Sequence, residues 1–242
     1  MKGFLSAAAF LTRVPVPGRV HSLGQLGGAI LWFPVVGAGI GLLVGAVALA
    51  GFVIGVPSHI ASGVAVAVSL LVTGAFHEDG LADTFDGLGS GRRGLEAIEL
   101  MRDPRIGVFG AAALLLSIFL QIATLGSLTR STVVGVTVAA HAASRGFTVL
   151  AMYLPLASDT GLAAGYSRAA GPGARPTGFI VGLAIAVAIL RENSWILLVA
   201  QGTGALLALW AHRRIGGMTG DVLGAVQQVT MATILVGATA RW

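Results

Sequence analysis

The sequence predicts an all-α integral membrane protein: a polytopic helical bundle of about seven transmembrane helices, plus a short N-terminal interfacial or re-entrant helix. Three observations carry this. Only 10% of the 242 residues are charged and 55% are hydrophobic, whereas a soluble domain carries about 25% charge. Mean hydropathy is +0.88. No Asp, Glu, Lys or Arg occurs between Arg19 and Glu78. These facts exclude a soluble domain, a disordered chain and a nucleic-acid-binding module. The absence of Cys excludes disulfides, zinc-thiolate sites and thiol nucleophiles. The net charge of +5 reflects a shortage of acids rather than a basic patch.

The elements follow from where charges and breakers fall. Phe4 to Leu11 is too short for a span and no cleavage site follows it, so it reads as an interfacial or re-entrant helix. The uncharged stretch after Arg19 exceeds the ~20 residues of one span, and Gly51, Gly55 and Pro57 break it. Helices are therefore expected at 25–50 and 59–76. Further helices are expected at 106–129, at 132–152 (carrying His141 and Arg145), at 177–190, at 194–211 and at 222–240. Gly37, Gly41 and Gly45 form a small-xxx-small ridge suited to helix packing.

The Arg and Lys residues set the expected orientation in the membrane. With the N-terminus in the cytoplasm and the C-terminus outside, eleven of them fall inside, while Arg130, Arg191 and Arg241 fall outside. A single membrane domain is expected over 1–242, with active-site loops 77–105, 153–176 and 212–221 on the cytoplasmic face. Those loops hold nine of the ten acids, including Asp159. The middle one, with Tyr166, Ser167, Arg168 and Arg175, has the look of a lid.

Seven acids lie within the 26 residues from Glu78 to Asp103, and none is placed mid-span. Asp79, Asp83 and Asp86 are spaced i, i+4 and i+7. If the second helix continues here, they share one face and repel one another unless a cation intervenes. Mg²⁺, a hard ion held by a few carboxylates and substrate phosphates, suits such a set; an ordinary solvated acidic loop is the plain alternative. Arg92 and Arg93 fit membrane anchors or anion ligands equally well. Asp103-Pro104 fits a helix start as well as a functional carboxylate, with Arg102 and Arg105 beside it. Arg145 lies within a span, where a charge is costly and by default functional, so it is expected to bind an anionic group. His141, one turn away, reads as a packing residue. In Gly216 to Gly224, four glycines surround Thr219 and Asp221. This loop could wrap phosphate, or Asp221 could simply cap the last helix. Carboxylates for Mg²⁺ and arginines for phosphate together suggest transfer of a phosphate-linked group.

The run HEDGLADTFDGLGSG, then MRDPRIGVFG and GGMTGDVLGA, together with the start FLTRVPVP, resembles the cobalamin synthase family, also called adenosylcobinamide-GDP ribazoletransferases, over essentially the whole chain. The resemblance implies a membrane enzyme late in vitamin B12 assembly. It would join adenosylcobinamide-GDP to α-ribazole or its 5′-phosphate, release GMP and use Mg²⁺. It implies that Glu78, Asp79, Asp83 and Asp86 form the acidic motif that holds metal, that Asp103 and Arg105 form a second motif, and that Asp221 forms a third. In the last helix the family often has carboxylates where this chain has Gln227, Gln228 and Met231. On this reading Arg145, Arg102, Arg105, Arg92, Arg93 and Asp221 contact substrate, and Asp83, Asp103 or His77 takes the proton of the attacking hydroxyl. A homo-oligomer is left open. A CDP-alcohol phosphotransferase would need an Ala-Arg pair where Ala82-Asp83 stands. A cation transporter would need carboxylates at the bilayer midplane.

Overall fold

A computed structural model describes residues 2–17, 27–157 and 162–240. Arg19, Asp159 and Arg241, which entered the charge count, lie outside the described residues. Regular structure among the described residues is helical: α1 (Lys2–Leu11), α2 (Phe33–Val53), α3 (Ser58–Thr73), α4 (Phe76–Gly89), α5 (Gly94–Met101), α6 (Val108–Ser127), α7 (Val133–Ala151), α8 (Leu162–Ala169), α9 (Ala174–Leu190), α10 (Trp195–Ile215) and α11 (Gly220–Thr239). A 3-10 turn, Ile30–Trp32, leads into α2, whose Pro34 sits in the first turn, where its missing N–H costs nothing. A helix lies near each expected place, although α2 begins only at Phe33 and the number of crossings is not thereby seven.

Five helices are long and apolar enough to cross a membrane, and six if the bent pair α3–α4 counts as one. One of these five, Ala174–Ile215, runs 42 residues. At about 1.5 Å per residue it spans roughly 63 Å, twice a bilayer's hydrocarbon core. It is interrupted at Arg191 (φ 52°) by the 3-10 turn Arg191–Ser194. The outer surface carries Leu71, Phe119, Leu198 and Leu206 largely exposed, as a lipid-facing surface requires.

The expectation of a loop at 77–105 is corrected. The segment is two helices, α4 and α5, joined at Ser90–Arg93. The second span does not run straight into it. Gly74 (φ 67°) and Ala75 (φ 55°) both take left-handed conformations, and α4 leaves α3 at 90°. Gly80 does not weaken α4, because it supplies contact: a Cβ there would lie 2.8 Å from the Asp221 carbonyl oxygen, so α4 presses backbone to backbone on α11. Likewise 153–176 contains α8, and 212–215 closes α10, leaving 216–219 as connection.

Helix α7 is the core of the bundle, packed by α2, α9 and α11. The Gly37–Gly41–Gly45 ridge of α2 lies on it as expected. At Gly41 a Cβ would stand 2.8 Å from the Val138 Cα, whereas Gly39 on the same helix has open space. Gly41→Ala is therefore expected to destabilise the protein by about 1–3 kcal/mol, since neither backbone can yield. Gly39→Ala should be neutral or slightly stabilising. Unfolding in mild detergent checks the contrast, and equal effects at the two positions would contradict the packing account.

Candidate active site

A cavity of about 280 Å³ opens between α1, α2, α4, α5, α7, α8 and the start of α11. Most of its lining is apolar. The polar exceptions include His77, Arg102, Arg145, Thr148, Thr219 and Asp221. Four of the residues singled out in the sequence thus converge here from four helices or helix ends.

Arg145 forms the floor. It is 2% exposed, and its side chain runs beside α2, where a Cβ on Gly37 would lie 2.7 Å from its Cδ. One guanidinium nitrogen donates to the His141 carbonyl (3.2 Å) and meets His141 Nδ1 at 3.1 Å. Among the described residues its Nε has no partner and no carboxylate lies within ion-pair distance. The Glu78 charge acts on it from farther off. His77, the second residue of α4, lines the same cavity, and its buried Nδ1 has no partner among the described residues. Buried polar atoms without partners are uncommon. Both residues line the same cavity, so its polar lining includes a cation and an imidazole whose hydrogen bonding the described residues leave incomplete.

Asp221 is not the cap of α11. Thr219 is, its hydroxyl accepting the Val222 N–H at 3.2 Å. Asp221 sits in the first helical turn and lines the cavity, and Arg102, at the end of α5, acts on it electrostatically. The glycine-rich connection before it is held by strand-like pairing: the Met218 N–H donates to the Pro155 carbonyl (2.8 Å) and the Ala157 N–H to the Met218 carbonyl (2.9 Å). In the lid segment, Arg175 ties α8 down through the Ser167 carbonyl and hydroxyl.

The acidic motif divides. Asp79 is exposed and Asp83 half-buried, and Asp83 is subject to the negative charges of Asp79, Asp221 and Asp86. Asp86 points elsewhere. Its two carboxylate oxygens accept the backbone N–H groups of Gly107 (2.7 Å) and Gly110 (2.8 Å), 21 and 24 residues on. It caps α6 from another helix, and because α6 starts at Val108 this corrects Asp103 as the helix start. Gly107 and Gly110 lie so close to this carboxylate that a Cβ on either would collide with it.

Glu78 is likewise not in an open acidic face. It is buried inside the bundle, accepting Gln228 Nε2 at 2.8 Å, eight residues into α11. Gln228 Oε1 is in turn held by Ser117 (3.3 Å) and Gln121 (3.4 Å) of α6. The expectation that no clustered acid lies among the spans fails for this residue. Gln227 of the same turn donates to Ser144 of α7 at 3.0 Å. These glutamines were noted only as departures from a family pattern. Their place in the middle of an apolar helix was the available sign of a buried network.

Asp103 and Arg105 pair with each other at the surface, through Nε (2.9 Å) and Nη2 (2.7 Å). The Arg105 guanidinium holds the Asp103 carboxyl down at about 2. Arg105 is 87% exposed, and neither residue lines the cavity. Arg92 and Arg93 are exposed at the α4–α5 junction, away from the cavity lining. Among the described residues, no group of three or more His, Asp or Glu side chains stands ready-made around a metal ion.

Residues 3–239 match the family described as cobalamin-5-phosphate synthase. The chain is 36% identical to an adenosylcobinamide-GDP ribazoletransferase of Azorhizobium caulinodans, a match covering 96% of this chain and 93% of that protein. It is 38% identical to the protein of the same name from Bradyrhizobium diazoefficiens, covering 97% and 92%. It is 35% identical to that of Chlorobaculum tepidum, covering 97% and 93%. No solved structure matches the chain.

Proposed function

The chain belongs to the cobalamin-5-phosphate synthase family, and from that premise we propose how its cavity performs the transfer. The protein is an adenosylcobinamide-GDP ribazoletransferase of cobalamin assembly; the phosphotransferase and transporter alternatives are not favoured. The observation that carries the mechanism is Arg145, a buried cation that lines the cavity with no carboxylate paired to it among the described residues.

The diphosphate of the donor supplies the missing anion. Arg145 takes one phosphate in a charge-assisted contact and Arg102, at the cavity mouth, takes the other. The 5′-hydroxyl oxygen of ribazole forms a bond to the cobinamide-side phosphorus, the bond from that phosphorus to the bridging oxygen breaks, and GMP leaves. The His77 imidazole accepts the hydroxyl proton. It is a better candidate than Asp103, which is engaged at the surface, because His77 lines the cavity, as a general base must. The apolar lining keeps water from competing for the phosphorus.

The donor chemistry of Asp79, Asp83 and Asp221 fits a hard cation: all offer oxygens, and the charges of Asp79 and Asp221 both press on Asp83, whose side chain has no hydrogen-bond partner among the described residues. Mg²⁺ held by these three would neutralise the diphosphate and stabilise the departing GMP. Counting α3–α4 as one span and α9 and α10 as two gives seven crossings, consistent with an N-terminus in the cytoplasm and an inner-membrane location.

Asp83→Asn is expected to cut GMP release from adenosylcobinamide-GDP and ribazole by about 100-fold or more at saturating Mg²⁺. Turnover near wild type would remove Asp83 from the site. Failure of the purified wild-type protein to form the cobalamin product would sink the whole reading.

A further inference from the structure

The cavity has a second wall whose chemistry differs from its floor. Phe10 of α1, Phe33 of α2, Phe76 of α4 and Tyr166 of α8 line it, four rings from four elements. Phe10 is the hub, with ring centroids 4.5 Å from Tyr166, 5.2 Å from Phe76 and 5.5 Å from Phe33. Wall and floor adjoin, since the Phe76 ring lies 5.3 Å from that of His77.

Phe33 and Tyr166 are almost wholly buried behind the wall, and its open surface comes from Phe10 and Phe76, whose rings offer faces and edges for stacking but no hydrogen-bonding group. Such a surface suits a flat aromatic body with an apolar rim. A guanine could stack there too, but its edge donors and acceptors would find no partner in the wall and would be left desolvated. Size discriminates further. A cavity of about 280 Å³ lies near the lower end of the ~300–1,000 Å³ range of small-molecule sites. That space is nearer the size of a nucleoside than of a macrocycle.

We propose that Phe10, Phe33, Phe76 and Tyr166 form the subsite for the fused bicyclic base of the acceptor nucleoside, the benzimidazole of ribazole, with its sugar directed to His77 and Arg145. The assignment rests on the transfer reading above. The corrinoid donor stays outside the cavity and extends only its diphosphate to Arg102 and Arg145. This gives the N-terminal helix a role in choosing the acceptor.

The test measures KM separately for α-ribazole and for adenosylcobinamide-GDP with the full chain in liposomes. Phe10→Leu and Tyr166→Leu are each expected to raise the ribazole KM about tenfold while the donor KM stays within about twofold, and Phe10→Tyr, which restores a ring, should recover the wild-type value. Phe76→Leu, at the most exposed of the rings (38%), provides a variant with little folding risk and the same expected direction. Unchanged ribazole KM in the folded variants overturns the subsite, as does a rise confined to the donor KM, which would put guanine against the wall. A wild-type protein inactive with both substrates instead sinks the transfer reading itself.

Discussion

Arg145→Met is expected to lower kcat/KM for ribazole transfer by about 10²–10³-fold, while leaving the folded protein as stable as wild type or more so. The two halves of this expectation come from the same fact. Arg145 is buried among the α7 core residues, its counter-charge Glu78 is beyond ion-pair distance, and its Nε lacks a partner. A buried cation so poorly compensated works against folding, and an apolar chain of similar volume relieves it. The same lack of compensation makes the site a strong anion receptor, because a substrate phosphate supplies what the fold withholds. Arg145→Lys keeps the charge but loses the planar fork, and should still cost about tenfold or more. Steady-state kinetics paired with thermal unfolding in detergent separates the roles. If Arg145→Met unfolds the protein, the residue is structural. If it remains active within a few-fold, the diphosphate is bound elsewhere.

The spans were legible because a bilayer imposes its length on any apolar run, and because Gly and Pro mark the breaks. Arg145 was legible for a related reason: a lone cation in a span has few explanations. The acidic segment was harder. Its i, i+4, i+7 spacing is real, but spacing within one helix does not say what faces that helix. Asp86 turns to amides 21 and 24 residues away, and Glu78 to a glutamine 150 residues away. Both partners are set by how α4 crosses α6 and α11, and that crossing depends on two left-handed residues, Gly74 and Ala75, one of which is not glycine. Asp103 and Arg105 show the opposite case. A neighbouring acid and base two residues apart can neutralise each other locally, and they do. The aromatic wall gave no signal, since its rings stand in four separate apolar segments.

Asp86→Ala should destabilise the protein by about 2–4 kcal/mol without altering which metal concentration supports turnover. The carboxylate is 8% exposed and serves two backbone N–H groups at the N-terminal end of α6. Hydrogen bonds to a charged group are worth about 1.5–3 kcal/mol each, and a stranded buried amide costs a comparable amount. The carboxylate also faces the positive end of the helix dipole. Asp86→Asn retains one acceptor oxygen and should lose about half as much. Asp83→Asn should behave in the reverse manner. Its side chain is half-buried, unpartnered and repelled by its neighbours, so removing its charge should leave stability intact or improve it, while raising the Mg²⁺ concentration needed for half-maximal turnover. Measuring unfolding and Mg²⁺ dependence for both variants distinguishes a cap from a ligand within one helix turn. If Asp86→Asn shifts the Mg²⁺ dependence and spares stability, the carboxylate leaves α6 in the working enzyme and belongs with Asp79, Asp83 and Asp221 after all.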